Sequence, residues 1–196
     1  LPSLYADFVE EARLLDACGY HSAWTAEHRI WYDSWCPALL HAMAVAVPAT
    51  SSLRFANAML LLPQHEPVAL ARNAATLDRL SGGRLQLGVG LGHRDAEYDA
   101  LGLRRDRRGR LMDAALATVH EVWAGEHGDE PTARQPGPPL WIGGLAKAAL
   151  ERAVRGGHRI MLPQTVLPDE LERYATWFRE QAGPDAVVGV MRDVWV

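Results

Sequence analysis

Glu27 and His28 close an apolar stretch, Ser22-Ala-Trp-Thr-Ala-Glu-His28. An imidazole titrates near neutral pH, so His28 can give or take a proton, and the neighbouring carboxylate could orient it. Two plainer readings stay open. Backbone groups at a strand end can satisfy the histidine, and adjacent strand residues face opposite sides, which would turn Glu27 to solvent. His65 follows a second apolar run in Leu62-Pro63-Gln64-His65-Glu66-Pro67, where it could line a pocket or sit in a proline-made turn. Gly88-Val89-Gly90-Leu91-Gly92 lacks the third glycine of a dinucleotide fingerprint, because the next position is His93. Its glycines suit either close approach to a ligand or a tight strand-to-helix turn. Gly143-Gly144 precedes a helix start, where free N–H groups and the helix dipole favour a phosphate, with Lys147 nearby; a plain tight turn is the alternative. Trp31, Tyr32 and Trp35 could wall a flat ligand or pack beneath a loop.

The elements that must position these groups alternate. Residues 2–18 carry Leu4, Phe8, Ala12 and Leu15 on one helical stripe, and Gly19 ends it. A strand leads to His28, and an Ala-rich helix spans 37–47. An apolar run at 53–62 reads as one long strand closed by Pro63. Glu66-Pro67 opens a helix over 68–80, stopped by Ser81-Gly82-Gly83. Strands follow at 85–90, 140–144, 158–162 and 187–196, with helices at 95–101, 109–123, 145–154 and 168–181 between them. The polar stretch 125–139 is a loop. Near-continuous apolar strands separated by helices indicate an α/β fold with a parallel sheet covered by helices. Periodicity does not separate an open doubly wound sheet from a barrel. In a barrel, all the strand ends named above would share one rim, where such folds do chemistry.

The bulk properties narrow the classes. A chain of 196 residues with 48% hydrophobic and 22% charged residues can bury a core as one domain, residues 1–196. A net charge of −4 gives no reason to expect nucleic acid. The exception is the arginine cluster at 104–110, which fits a solvated loop and helix start better than a phosphate site. Cys18 and Cys36 have no zinc or disulfide spacing, and the eight histidines form no H-E-x-x-H pattern, so no metal is expected. No apolar run reaches the ~20 residues of a membrane helix, and nothing resembles a signal peptide, so the expectation is a cytoplasmic protein.

Taken in order, five segments resemble the bacterial-luciferase-like family of flavin-dependent oxidoreductases. They are Gly19-Tyr-His-Ser-Ala-Trp-Thr-Ala-Glu-His28, Leu60-Leu-Leu-Pro-Gln-His-Glu-Pro67, residues 74–90, Glu97-Tyr-Asp-Ala-Leu-Gly102 and Pro138-Pro-Leu-Trp-Ile-Gly-Gly144. The resemblance implies a (β/α)₈ barrel of TIM-barrel type. Such barrels run to ~250 residues, so this chain would lack the first and last strands and could be part of a longer product.

The resemblance also implies reduced FMN or the deazaflavin F420 at the C-terminal rim. His28 would be the active-site histidine beside the flavin. Asn57, Ala58 and Met59 would pack against the isoalloxazine, and Gly143 and Gly144 would meet the cofactor phosphate. Gly90 would lie at the cofactor where the luciferase subunit has a reactive cysteine. Leu91 replaces that subunit's phosphate-binding arginine, so Lys147 or Arg94 would have to substitute. The implied activity is FMN- and dioxygen-dependent monooxygenation of a small organic substrate, with a separate flavin reductase as partner and a homodimer as the assembly. F420-dependent hydride transfer and non-catalytic flavin binding by a shortened homologue are the alternatives.

Overall fold

The computed structural model describes residues 2–28, 36–128, 132–133 and 136–192. After α1 (Pro2–Ala17) come β1 (Ser22–Thr25), α2 (Leu39–Ala46), β2 (Arg54–Asn57) and β3 (Leu60–Leu61). The chain continues through α3 (Pro67–Leu80), β4 (Leu85–Gly90), α4 (Asp95–Ala100), α5 (Arg108–Trp123) and β5 (Leu140–Gly143). It closes with α6 (Lys147–Arg155), β6 (Arg159–Leu162), α7 (Pro168–Ala182) and β7 (Val188–Val190). Trp31, Tyr32, Trp35 and residues 193–196 lie outside the described residues.

Local chemistry sets the element ends. The Glu66 carboxylate accepts from the Val68 and Ala69 N–H groups at 3.1 and 2.6 Å, capping α3, while Pro67 supplies a first residue with no N–H to leave unmet. Gly82 and Gly83, at φ +64° and +80°, end that helix in the left-handed region. The Asp16 carboxylate, at the end of α1, accepts from the N–H groups of Ser51, Ser52 and Leu53 and from both serine hydroxyls, at 2.7–2.9 Å. It thereby ties the first helix to the entry of β2. Those donors, the Ser51 N–H foremost, hold the Asp16 carboxyl well below the usual carboxylate range.

Every strand pairing is parallel, and the order along the sheet, β1-β2-β4-β5-β6-β7 with β3 on β4, follows the chain. Right-handed crossovers taken in chain order place the helices on one face. A doubly wound sheet would instead reverse its order at a switch point. The structure is therefore a parallel sheet forming part of a barrel, which decides between the two architectures that periodicity left open. Phe55, Leu85, Leu87, Val89, Leu140, Ile142, Ile160 and Leu162 join the helices in the buried core. Alternate residues turn to the concave face. There the Gln86 side-chain oxygen accepts from Trp141 Nε1 at 3.0 Å and from Arg159 at 3.1 Å, and Trp24 meets Trp141 edge-on at 5.2 Å.

Among the described residues, β1 and β7 each have a strand neighbour on one side only. A groove of about 610 Å³ between α1 and β1 is lined by consecutive residues 22–26, so it runs along the open edge of β1. No helix among the described residues is long and apolar enough to cross a membrane.

The run at 53–62, expected as one strand, is two. Ala56 pairs with Gln86 and Leu60 with Val89, so residues 57–59 oppose only 87 and 88. One extra residue has been inserted, which is a bulge. The Ala58–Met59 peptide within it is cis. The apolar sequence on either side hid the break, which only Asn57 among the residues of the bulge could have signalled.

Candidate active site

Because the strands are parallel, their C-terminal ends share one end of the sheet. His28, the 57–59 bulge, Gly90 and Gly143-Gly144 all lie there. Asn57 and Leu60 are buried, whereas Ala58 and Met59 between them are partly exposed, so the bulge presents its middle at the rim.

The glycines opposite the bulge make room for it. A Cβ on Gly88 would lie 1.9 Å from the Asn57 carbonyl oxygen. A Cβ on Gly143 would lie 2.6 Å from Met59 Cγ, and one on Gly90 would lie 3.1 Å from Met59 Cβ. The close approach expected of a ligand at these positions is thus made first by the chain itself. Gly92, at φ +72°, provides the strand-to-helix turn after β4. The Gly144 N–H donates to the Met161 carbonyl at 3.1 Å. That N–H is therefore taken within the sheet, and in the first turn of α6 Lys147 reaches Glu151 at 3.6 Å.

Glu27 departs from one of the two readings that the sequence left open. It is 2% exposed, so it does not face solvent. It accepts from the Leu61 N–H at 2.8 Å and meets His65 Nε2 at 2.9 and 3.0 Å. The carboxylate facing His28 comes from α4: Glu97 Oε1 is 3.6 Å from His28 Nδ1, and Glu97 is 1% exposed. The Tyr98 hydroxyl donates to the Leu91 carbonyl, fastening α4 to the end of β4. The rim thus carries two carboxylate–imidazole pairs, and each joins segments far apart in sequence.

Residues that sequence reasoning missed cluster at the same end. Glu97 begins the segment Glu97-Tyr-Asp-Ala-Leu-Gly102 but reads there as part of a polar helix. Thr25 pairs in register with Asn57 at the ends of β1 and β2. The Thr25 hydroxyl and both polar atoms of the Asn57 amide are buried with no hydrogen-bond partner among the described residues. Buried polar groups are almost always satisfied, so an unmet amide donor and acceptor side by side mark a place for a polar ligand. Of the arginine cluster, Arg104, Arg107 and Arg110 are exposed while Arg105 and Arg108 are partly buried, with Arg104 paired to Asp106 and Arg105 to Asp95, at 2.5 and 2.8 Å. No group of three or more metal-ligating side chains occurs among the described residues.

Known proteins resemble this chain in sequence and in fold. The luciferase-like monooxygenase family model matches residues 2–194. The oxygenase component of the flavin-dependent trigonelline monooxygenase of Acinetobacter baylyi is 26% identical over 85% of this chain and 51% of its own length. The chain therefore spans about half of that relative. A monooxygenase from Streptomyces bottropensis superposes with a TM-score of 0.85 at 23% identity, over 95% of this chain and 64% of its own. An F420-dependent secondary alcohol dehydrogenase, solved with an F420–acetone adduct, superposes with a TM-score of 0.76 at 20% identity, over 95% and 64%. At these identities the superpositions show a shared fold. The match over nearly the whole chain shows that this protein belongs to the luciferase-like monooxygenase family.

Proposed function

We propose that this chain carries the flavin site of a monooxygenase that uses reduced FMN and dioxygen on a small organic substrate. The observation that carries the reading is the buried Asn57 amide with both ends unmet, beside the partly exposed Ala58–Met59 shelf. A ring edge bearing adjacent donors and acceptors would satisfy that amide, and the flat shelf would take the ring face. The residues present therefore fit a flavin.

The chemistry a bound reduced flavin supplies is two-electron activation of dioxygen, with one oxygen atom going to the substrate and the other to water. The chain's own residues do the rest. Met59, held over Gly143 and Gly90, supports the ring. Lys147 and the first turn of α6 offer charge and N–H groups to a phosphate. His28 gives or takes a proton at the rim. The Trp24–Trp141 pair on the concave face offers aromatic surface beside that site. A separate reductase as electron source follows the description of the trigonelline relative as an oxygenase component.

Hydride transfer with F420 is the second reading, favoured by the superposed dehydrogenase. Fluorescence titration of the chain with FMN and, separately, with F420 tests both. Saturable binding of FMN supports the first reading. Binding of F420 alone transfers the assignment to the second, and binding of neither overturns both.

A further inference from the structure

We propose that the Met59 thioether is a site of oxidative modification, taking oxygen from hydrogen peroxide formed at the flavin site read above, on which this inference rests. The chain has five methionines. Met43, Met112 and Met161 are buried, at 0, 1 and 7% exposure, whereas Met59 and Met191 are partly exposed. The side chain of Met59 lies across the glycines of β4 and β5. A Cβ on Gly88 or on Gly143 would be 3.0 Å from its Sδ, and one on Gly90 would be 3.4 Å from its Cγ. Backbone of the two strands therefore covers one side of the thioether. Its exposure is left to the other side, where the ring would rest.

When reduced flavin meets dioxygen with no substrate to oxygenate, two electrons and two protons pass to oxygen, giving oxidised flavin and hydrogen peroxide. The thioether then gives an electron pair to one peroxide oxygen and the O–O bond breaks. The proton on the transferred oxygen passes to the departing hydroxide, so the products are methionine sulfoxide and water. Sulfur loses two electrons and peroxide gains two, so no further reagent is required. The new S–O bond turns an apolar, flexible side chain into a polar one. On the sheet side the backbone at Gly88 and Gly143 already fills the space, so the added oxygen projects into the place of the ring. Met191 is the comparison within the same molecule. It follows β7, two strands beyond β5 and about 10 Å along the sheet. It shares the partial exposure of Met59 without the position beneath the ring.

Peptide mass mapping of the full chain reads the modification, and fluorescence titration with FMN reads its consequence. With protein in excess over reduced FMN, and catalase present to clear peroxide from the bulk, admitting oxygen is expected to add one oxygen atom to Met59 and none to Met191. Hydrogen peroxide added without flavin is expected to oxidise Met59 and Met191 and to spare Met43, Met112 and Met161. Sulfoxide at Met59 is expected to raise the Kd for FMN on the order of 10-fold, with recovery after treatment with methionine sulfoxide reductases. In Met59→Leu, peroxide is expected to leave that variant's own Kd where it stood before treatment. Met59 left unoxidised in the flavin reaction overturns the proposal. So does equal oxidation of Met191 under catalase, or a Met59 sulfoxide that leaves the Kd unmoved. These outcomes are read on the wild type, so a variant that fails to fold changes none of them. An untreated chain that binds no FMN removes the flavin reading and the proposal together, whereas FMN binding beside an inert Met59 removes the proposal alone.

Discussion

Position 88 carries only hydrogen because the Asn57 carbonyl oxygen occupies the place where a Cβ would be, at 1.9 Å. Backbone cannot step aside as a side chain can. Gly88→Ala is therefore expected to lower unfolding free energy by about 3 kcal/mol or more, measured by denaturant titration. Gly143→Ala meets the flexible Met59 instead, at 2.6 Å from Cγ. It is expected to cost less, about 1–2 kcal/mol of stability, while weakening FMN binding, because the shelf must shift. Equal stability losses in the two variants would contradict this reading of the bulge. The glycines were legible in the sequence as sites of close approach, but what approaches them was not. The pairing of Glu27 with His65 was equally hidden, since it joins residues 38 apart and neither shows a local spacing signal.

Helices were the most legible elements, because their stops are local: Gly19 after α1, and Ser81-Gly82-Gly83 after α3. Strands gave themselves away by apolar runs, and the bulge was lost for the same reason, since Asn57 alone stands as a polar break between Phe55-Ala56 and Ala58-Met59-Leu60. Where α5 ends and β6 begins, His120 and His158 stack at 5.2 Å between ring centres, with Nε2 atoms 3.5 Å apart. Burial, and then the neighbouring imidazole, push His158 down to about 4, and burial lowers His120. Both sit below the ordinary value of 6.5, so the folded protein favours the neutral rings. Their contribution is complete above pH 6.5 and is lost as pH falls toward 4. For His158 the span is at most about 3 kcal/mol. His158→Gln is expected to flatten the fall of Tm between those pH values, and an unchanged slope would contradict it. Asp16 acts at lower pH. Its carboxyl is depressed in the fold, so its stabilisation is present above the ordinary value of 3.8 and fades as pH drops below it. Asp16→Asn should accordingly lower Tm at neutral pH, with the gap to wild type closing in strong acid.

At the scale of the molecule, alternation of strand and helix predicted the parallel sheet, but only the strand order, β1-β2-β4-β5-β6-β7, showed it to be barrel-like. That order is a long-range property, set by how crossovers pack rather than by any residue's own preference. It also ranks local stability. β4 is buried at all six residues and is paired on both sides, while β1 and β7 lie at the described edges with every residue only partly buried. Amide exchange should therefore be slower at Leu87 and Val89 than at Ala23 or Gly189, on the order of 10²-fold. Uniform exchange across the sheet would contradict this ranking.

The central claim is that one end of this sheet, with His28, the Asn57–Met59 bulge and the glycines facing it, receives a flavin. A crystal structure of the chain grown with FMN tests it most directly. The account predicts the isoalloxazine lying on Ala58 and Met59, with the Asn57 amide bonded to its edge and the His28 ring beside it. A ring bound elsewhere, such as in the groove between α1 and β1, or an Asn57 amide left untouched by the bound ring, would contradict it.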